Sequence, residues 1–201
     1  YALANVGTKS LVKKGFKTWY YVTADYAFGH SLENDGKKFI EGAGGSVVGS
    51  SRYPFPGNDF ASYIVKANGS KANAVAIATA GLDLQNAIKQ GREIGLGTGG
   101  QATVAMLMSI MDVHGLGLKN AGGMMFAESF YWDYDDESRK FADKFMKKMK
   151  RMPTALQAGQ YSAIRTYLKA VEQAKSDDVA EVIKAMKTMP INDAFAKHGT
   201  L

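Results

Sequence analysis

The chain alternates between short apolar runs and longer stretches in which apolar residues recur every three or four positions. The short runs fall at 17–23, 46–53, 74–80, 102–108 and 123–130. The first of them is rich in aromatic and β-branched residues, which suit a buried strand. The runs are close to continuously apolar, the pattern of a parallel sheet covered on both faces. Between them the helical spacing predicts helices at 1–14, 31–41, from about 60 to 67, 82–95 and 110–116. Asn58 or Asp59 is placed to cap the third helix and Ser109 the fifth. The first four strands begin about 28 residues apart, the length of a strand, a helix and two loops. A doubly wound α/β sheet follows.

After Trp132 the pattern changes. An acidic stretch, 133–137, opens a helix with Phe141, Phe145, Met146 and Met149 on one side. Pro153 breaks it. A second helix carries Tyr161, Ile164, Leu168 and Val171, and a third carries Val179, Val182, Ile183 and Met186 before Pro190 ends it. These apolar stripes have no strands of their own to pack on. They need a surface from the preceding residues, from chain outside this sequence, or from a second copy. In the last case the chain would self-associate through 137–175.

In open α/β sheets a ligand sits at the carboxyl ends of the strands, where helix N-termini point. Three stretches meet that description. Asp25, Tyr26 and Phe28 follow the first strand, with Gly29 expected to let the backbone turn closely before a helix at Ser31. Thr79, Ala80 and Gly81 follow the third, and Met106 and Met108 close the fourth. Together they offer rings, backbone amides, a hydroxyl and soft thioethers, an apolar lining with a few polar points. Phe130, Tyr131 and Trp132 are expected to flank it. Each stretch also has a plainer reading as a simple strand–helix connection.

Composition narrows the classes. With 46% apolar and 22% charged residues the chain is of globular type, and no apolar run approaches the roughly 18 residues of a membrane span. The net charge of +6 raises nucleic acid as a partner. Many of the basic residues, such as Lys144, Lys147, Lys148, Lys150 and Arg151, instead sit on one helix as a solvated face. No nucleic acid is expected. There are no cysteines, so thiol chemistry, disulfides and Cys-ligated zinc are excluded. Tyr1 opens directly on a helical pattern, so the sequence is expected to be part of a longer product.

The motif matches are weak. Gly95-Leu-Gly-Thr-Gly-Gly100 has the glycine spacing of a dinucleotide loop, but it follows a helix and precedes a strand, the reverse of what that site needs. Ser10-Leu-Val-Lys13 lies on the opening helix without the partner motifs of an acyl-transfer enzyme. Asn68-Gly-Ser70 serves as a helix-ending turn as well as a glycosylation sequon. His30, His114 and His198 have no second ligand at metal spacing. The carboxylates Asp25, Asp83, Asp112 and Glu128 are scattered, and capping explains most of them. No nucleophile, base and orienting group assemble, which weighs against an enzyme. No cofactor or metal is expected.

Tyr21-Val-Thr-Ala-Asp-Tyr-Ala-Phe-Gly-His30 resembles the start of the second lobe of type I periplasmic solute-binding proteins of the leucine/isoleucine/valine-binding type, which serve ABC importers. Gly57-Asn-Asp-Phe60, Asn86-Ala-Ile-Lys-Gln90, Gly122-Gly-Met-Met125 and Gln157-Ala-Gly-Gln-Tyr-Ser-Ala163 extend the resemblance over nearly the whole chain. It implies two Rossmann-like lobes with the solute between them, a permease in the membrane as partner, and a periplasmic or extracellular, membrane-anchored location. It also implies a division of the chain. Residues 1–129 would be the second lobe, 130–190 a crossover and helices returning to the first lobe, and 191–201 the start of the last passage.

By the same resemblance Tyr26 matches a ligand-contacting Tyr of the family. Members that bind amino acids place an aromatic residue after the third strand and an acidic one after the fourth. Here those places hold Ala80-Gly81 and Met106-Leu107-Met108, with Asp112 further on. An apolar slot with Met neighbours suits a flat ring, as in members that bind benzoate- or cinnamate-type acids. The expected solute is a small aromatic carboxylate. A branched-chain amino acid is the nearest alternative. A nucleotide- or flavin-dependent enzyme and a ligand-sensing regulatory domain remain open.

Overall fold

A computed structural model describes residues 1–201. The chain divides into two compact units, Tyr1–Glu128 and Ser129–Leu201.

The first unit is built on a sheet of five parallel strands, in the order β2-β1-β3-β4-β5. The strands are β1 (Thr18–Ala24), β2 (Ser46–Tyr53), β3 (Ala74–Ala78), β4 (Ala102–Ala105) and β5 (Met124–Met125). The helices are α1 (Ala2–Lys13), α2 (Ala27–Gly42), α3 (Ala61–Gly69), α4 (Gly81–Glu93), α5 (Ile110–Leu116) and α6 (Leu118–Ala121). A parallel crossover is right-handed. Stepping outward from β1 to β2 therefore lays α2 on one face, and stepping the other way to β3 and β4 lays α3 and α4 on the opposite face. Two core layers result. Trp19, Tyr21 and Val104 pack with Leu11, Val12, Phe39 and Ile40 of α1 and α2. Tyr20, Val22, Val75 and Ile77 pack with Ile64, Leu84, Ile88 and Leu116 of α3, α4 and α5. Central β3 and β4 are buried throughout, as their apolar runs require. The edge strand β2 instead alternates over its last residues, burying Ser51 and Tyr53 and exposing Arg52.

Four expectations need correction. The helix after β1 starts at Ala27 rather than Ser31, so 27–30 form its first turn. Strands three and four stop at Ala78 and Ala105, shorter than their apolar runs. The fifth strand is only Met124–Met125, because its one partner, β4, pairs through Thr103 and Val104 alone. The short helix α6 carried no recognisable signal. The Gly95–Gly100 run is an αβ turn, as its context required. Ser109 caps α5 in a reciprocal box with Asp112.

The second unit holds α7 (Asp136–Met149), α8 (Ala155–Ala174) and α9 (Val179–Thr188). Each start has a side-chain cap, from Asp135, Thr154 and Asp178 in turn. Phe141 on α7 meets Phe130 at 5.9 Å and Tyr161 on α8 at 5.2 Å between ring centres. Ala170, Val182 and Ala185 form a small core between α8 and α9.

Candidate functional site

The strand order reverses direction between β1 and β3, and the carboxyl ends of those strands form the crevice at a topological switch point. Chain leaving β1 enters α2 at Tyr26, and chain leaving β3 enters α4 at Ala80. Neither helix start has a side-chain cap. The first-turn amides of both helices have no intrahelical acceptor and carry the positive end of the helix dipole. Gly81 opens α4 at φ +63°, a left-handed conformation that glycine adopts without strain.

Tyr26 and Phe28 stand at the start of α2 itself. Tyr26 stacks on Phe55, with ring centres 4.2 Å apart and planes at 14°. Phe28 lies on Tyr26 at 5.9 Å, tilted by 43°. Phe28 is 37% and Phe55 46% exposed, so a row of three rings faces outward at the ends of β1 and β2. The row is held from beneath by Gly29. A Cβ there would lie 2.0 Å from the Ala24 carbonyl oxygen, so only glycine lets α2 start this close to β1.

The other sequence-predicted residues take distinct places. Asp25 is exposed; its Oδ1 lies 2.7 Å from His30 Nε2, and its amide donates to the Tyr53 carbonyl at 2.8 Å. Thr79 is fully buried, and Ala80 and Gly81 reach the surface above it. The two methionines do not share one slot, contrary to expectation. Met106 packs in the α1–α2 layer and Met108 in the α3–α5 layer, at 5% and 2% exposure. Residues two apart share a face only while the chain stays a strand, and β4 ends at Ala105, before both methionines. The Tyr21 hydroxyl donates to Met106 Sδ at 3.9 Å. Burial, and after it the Glu33 carboxylate, push the Tyr21 phenol far above its usual range. Glu33 in turn meets Arg52 Nη2 at 3.4 Å. No carboxylate lies in 102–108; the nearest downstream, Asp112, caps α5 and accepts from Gln85.

Phe55 escaped the sequence reading. It sits in a Pro-flanked loop, where only the turn signal was legible. An open groove of about 400 Å³ lies between α1 and the β4–β5 side of the sheet. Of the predicted site residues it includes only Met106. No group of three or more His, Asp or Glu is placed to hold a metal. No helix is long and apolar enough to cross a membrane.

The model of one family, described as periplasmic binding protein, matches residues 1–201. The chain belongs to the periplasmic binding protein family. This is a family of ABC-transporter solute-binding proteins, not of enzymes. A periplasmic binding protein from Burkholderia mallei is 44% identical, with a TM-score of 0.88, over 97% of this chain and 52% of its own. A branched-chain amino acid ABC transporter periplasmic ligand-binding protein from Burkholderia xenovorans is 38% identical, with a TM-score of 0.91, over 98% and 53%. An ABC-transporter solute-binding protein from Rhodopseudomonas palustris, solved with 3,4-dihydroxybenzoic acid, shares the fold at 22% identity and a TM-score of 0.80, over 93% and 52%. No curated protein sequence matches the chain. The chain spans about half the length of these solved structures.

Proposed function

We propose that the chain forms one lobe, and part of the other, of the solute-binding component of an ABC importer. The solute is a small aromatic carboxylate held between two lobes. Residues 1–129 are the second lobe, 130–190 contribute a crossover and helices to the first, and 191–201 begin the last passage. The complete protein works in the periplasm, or outside the membrane on an anchor, and delivers solute to a permease. Trapping follows from differential affinity: a solute that touches both lobes stabilises the closed state, which the permease recognises.

The observation that carries this reading is the row of Phe28, Tyr26 and Phe55 at the uncapped start of α2, with the uncapped start of α4 following the neighbouring strand. Rings stack on a flat apolar body, and first-turn amides donate to a carboxylate. Asp25, Ala80 and Gly81 complete the rim, with Thr79 buried below them and Met106 and Met108 buried in the two layers on either side of the sheet. The dihydroxybenzoic acid held by the Rhodopseudomonas relative is of this chemical class. A branched-chain amino acid is the second reading, favoured by the name of the Burkholderia xenovorans relative. Against it, 102–108 offer no carboxylate to pair with an ammonium group.

A thermal-shift screen of the complete protein against amino acids and aromatic acids tests the choice. A ligand at 100-fold excess over Kd stabilises by about 2.7 kcal/mol. Aromatic acids are expected to raise the midpoint. A rise with aliphatic amino acids alone would reject the aromatic class.

A further inference from the structure

The segment 54–60 leaves β2 and reaches α4, which follows β3; in the sheet, β1 lies between those strands. It is tied down at Gly57, Asn58 and Phe60. The Gly57 amide donates to Asp83 Oδ2 at 2.9 Å. The Phe60 amide donates to Gln90 Oε1 at 2.8 Å, and Gln90 Nε2 donates to the Asn58 carbonyl at 3.0 Å. Asp83 is itself 7% exposed, a carboxylate in the first turn of α4 that meets both this loop amide and the buried Tyr53 phenol. The loop also packs tightly. A Cβ on Gly57 would lie 2.8 Å from the Tyr53 ring and 2.9 Å from the Phe60 ring. At the free side of the tethered loop stands Phe55, half-exposed and stacked on Tyr26.

The ties at Gly57, Asn58 and Phe60 fix where Phe55 stands, although its ring stays half-exposed. Resting on the solute-binding role proposed above, we propose that Phe55 is a solute contact. Asp83 and Gln90 are then positioning residues that set the selectivity for flat ring solutes. Stacked rings are rigid partners with few torsions to fix, so a wall of Phe28, Tyr26 and Phe55 rewards a planar solute more than a branched aliphatic one. If 54–60 were free, the Phe55 ring would have to be ordered at each binding event, and that cost would fall on affinity.

The test uses the complete protein, with 3,4-dihydroxybenzoic acid and L-leucine as probes in calorimetry. Phe55→Leu keeps an apolar side chain and removes the ring. It is expected to weaken the aromatic acid by about three- to tenfold, the range for one ring contact, and to leave the leucine affinity, or its absence, unchanged. Asp83→Ala frees the loop and is expected to give a loss of similar size that does not add to that of Phe55→Leu in the double variant. Asp83→Asn keeps an acceptor for the Gly57 amide and restores most of the affinity. Thermal midpoints separate loss of fold from loss of contact, and Phe55→Leu, at a half-exposed position, serves if Asp83→Ala does not fold. If the unaltered protein binds the acid and Phe55→Leu binds it equally well, Phe55 is not a contact and this inference falls alone. Additive losses in the double variant would overturn the positioning role. If the unaltered protein binds leucine but no aromatic acid, the solute class falls and the inference with it.

Discussion

Gly29 and Tyr26 are the two residues on which the proposed site most closely depends. Gly29 stands where the first turn of α2 meets the Ala24 carbonyl oxygen, with no room for a side chain. Gly29→Ala forces α2 away from β1. Denaturant unfolding should show a loss of about 1–3 kcal/mol, the usual cost of overpacking, and an unchanged midpoint would mean the helix start is free to shift. Tyr26 touches both neighbouring rings. In the complete protein Tyr26→Ala should weaken aromatic-acid binding by at least about 1 kcal/mol with little change in fold, and equal affinity by calorimetry would remove Tyr26 from the site. Both residues were legible in the sequence, because a strand followed by Asp and Gly marks a sheet edge. Phe55 was not. Its neighbours Pro54, Pro56 and Gly57 signal a turn, and nothing local says that the turn folds back over β1.

Elements were legible where burial is complete and obscure where it is shared. Strands β1, β3 and β4 announced themselves as apolar runs, since both their faces are covered. The fifth run looked the same but yields only Met124–Met125, because pairing depends on how far β4 extends beside it. At the start of α7 the acidic stretch was legible as a helix opening, and it has a pH signature. Hydrogen bonds from Ser138 and the nearby Lys197 hold Asp135 at a pKa of about 2, against its ordinary 3.8. A depressed carboxylate pKa stabilises the fold above the ordinary value and ceases to do so as pH falls towards about 2. Asn also caps a helix but does not titrate. The difference in thermal midpoint between the protein and Asp135→Asn should therefore shrink as pH falls from about 5 towards 2. A constant difference would deny Asp135 that role. Asp193 has a related setting: burial opposes its charge, but amide bonds from Ala196 and Phe195, with Ser162 and Arg165, hold its carboxyl below the usual range.

For the molecule as a whole, α8 is the informative helix. Its inward face is small and partly polar: Ala158, Ser162, Thr166 and Ala170. Its apolar residues point outward, with Leu156 at 80%, Ile164 at 51% and Leu168 at 59% exposure. Uncovered apolar surface forgoes about 25 cal/mol per Å². In the complete protein, the rest of the first lobe is proposed to cover this stripe. The 201-residue chain alone should therefore self-associate at low micromolar concentration, as sizing with light scattering would show, and a clean monomer would contradict it. Sequence made the stripe visible but not its partner, since the relatives are about twice as long as this chain. The same proposal divides the binding site: a solute clamped between lobes would find only one wall in the 201-residue chain. The decisive measurement is a calorimetric titration of 3,4-dihydroxybenzoic acid into the complete protein and, side by side, into the 201-residue chain. Saturable one-site binding by the complete protein, with little or none by the chain, is the predicted result. No binding by the complete protein would contradict the solute class, and equal affinity in the two would contradict a site shared between lobes.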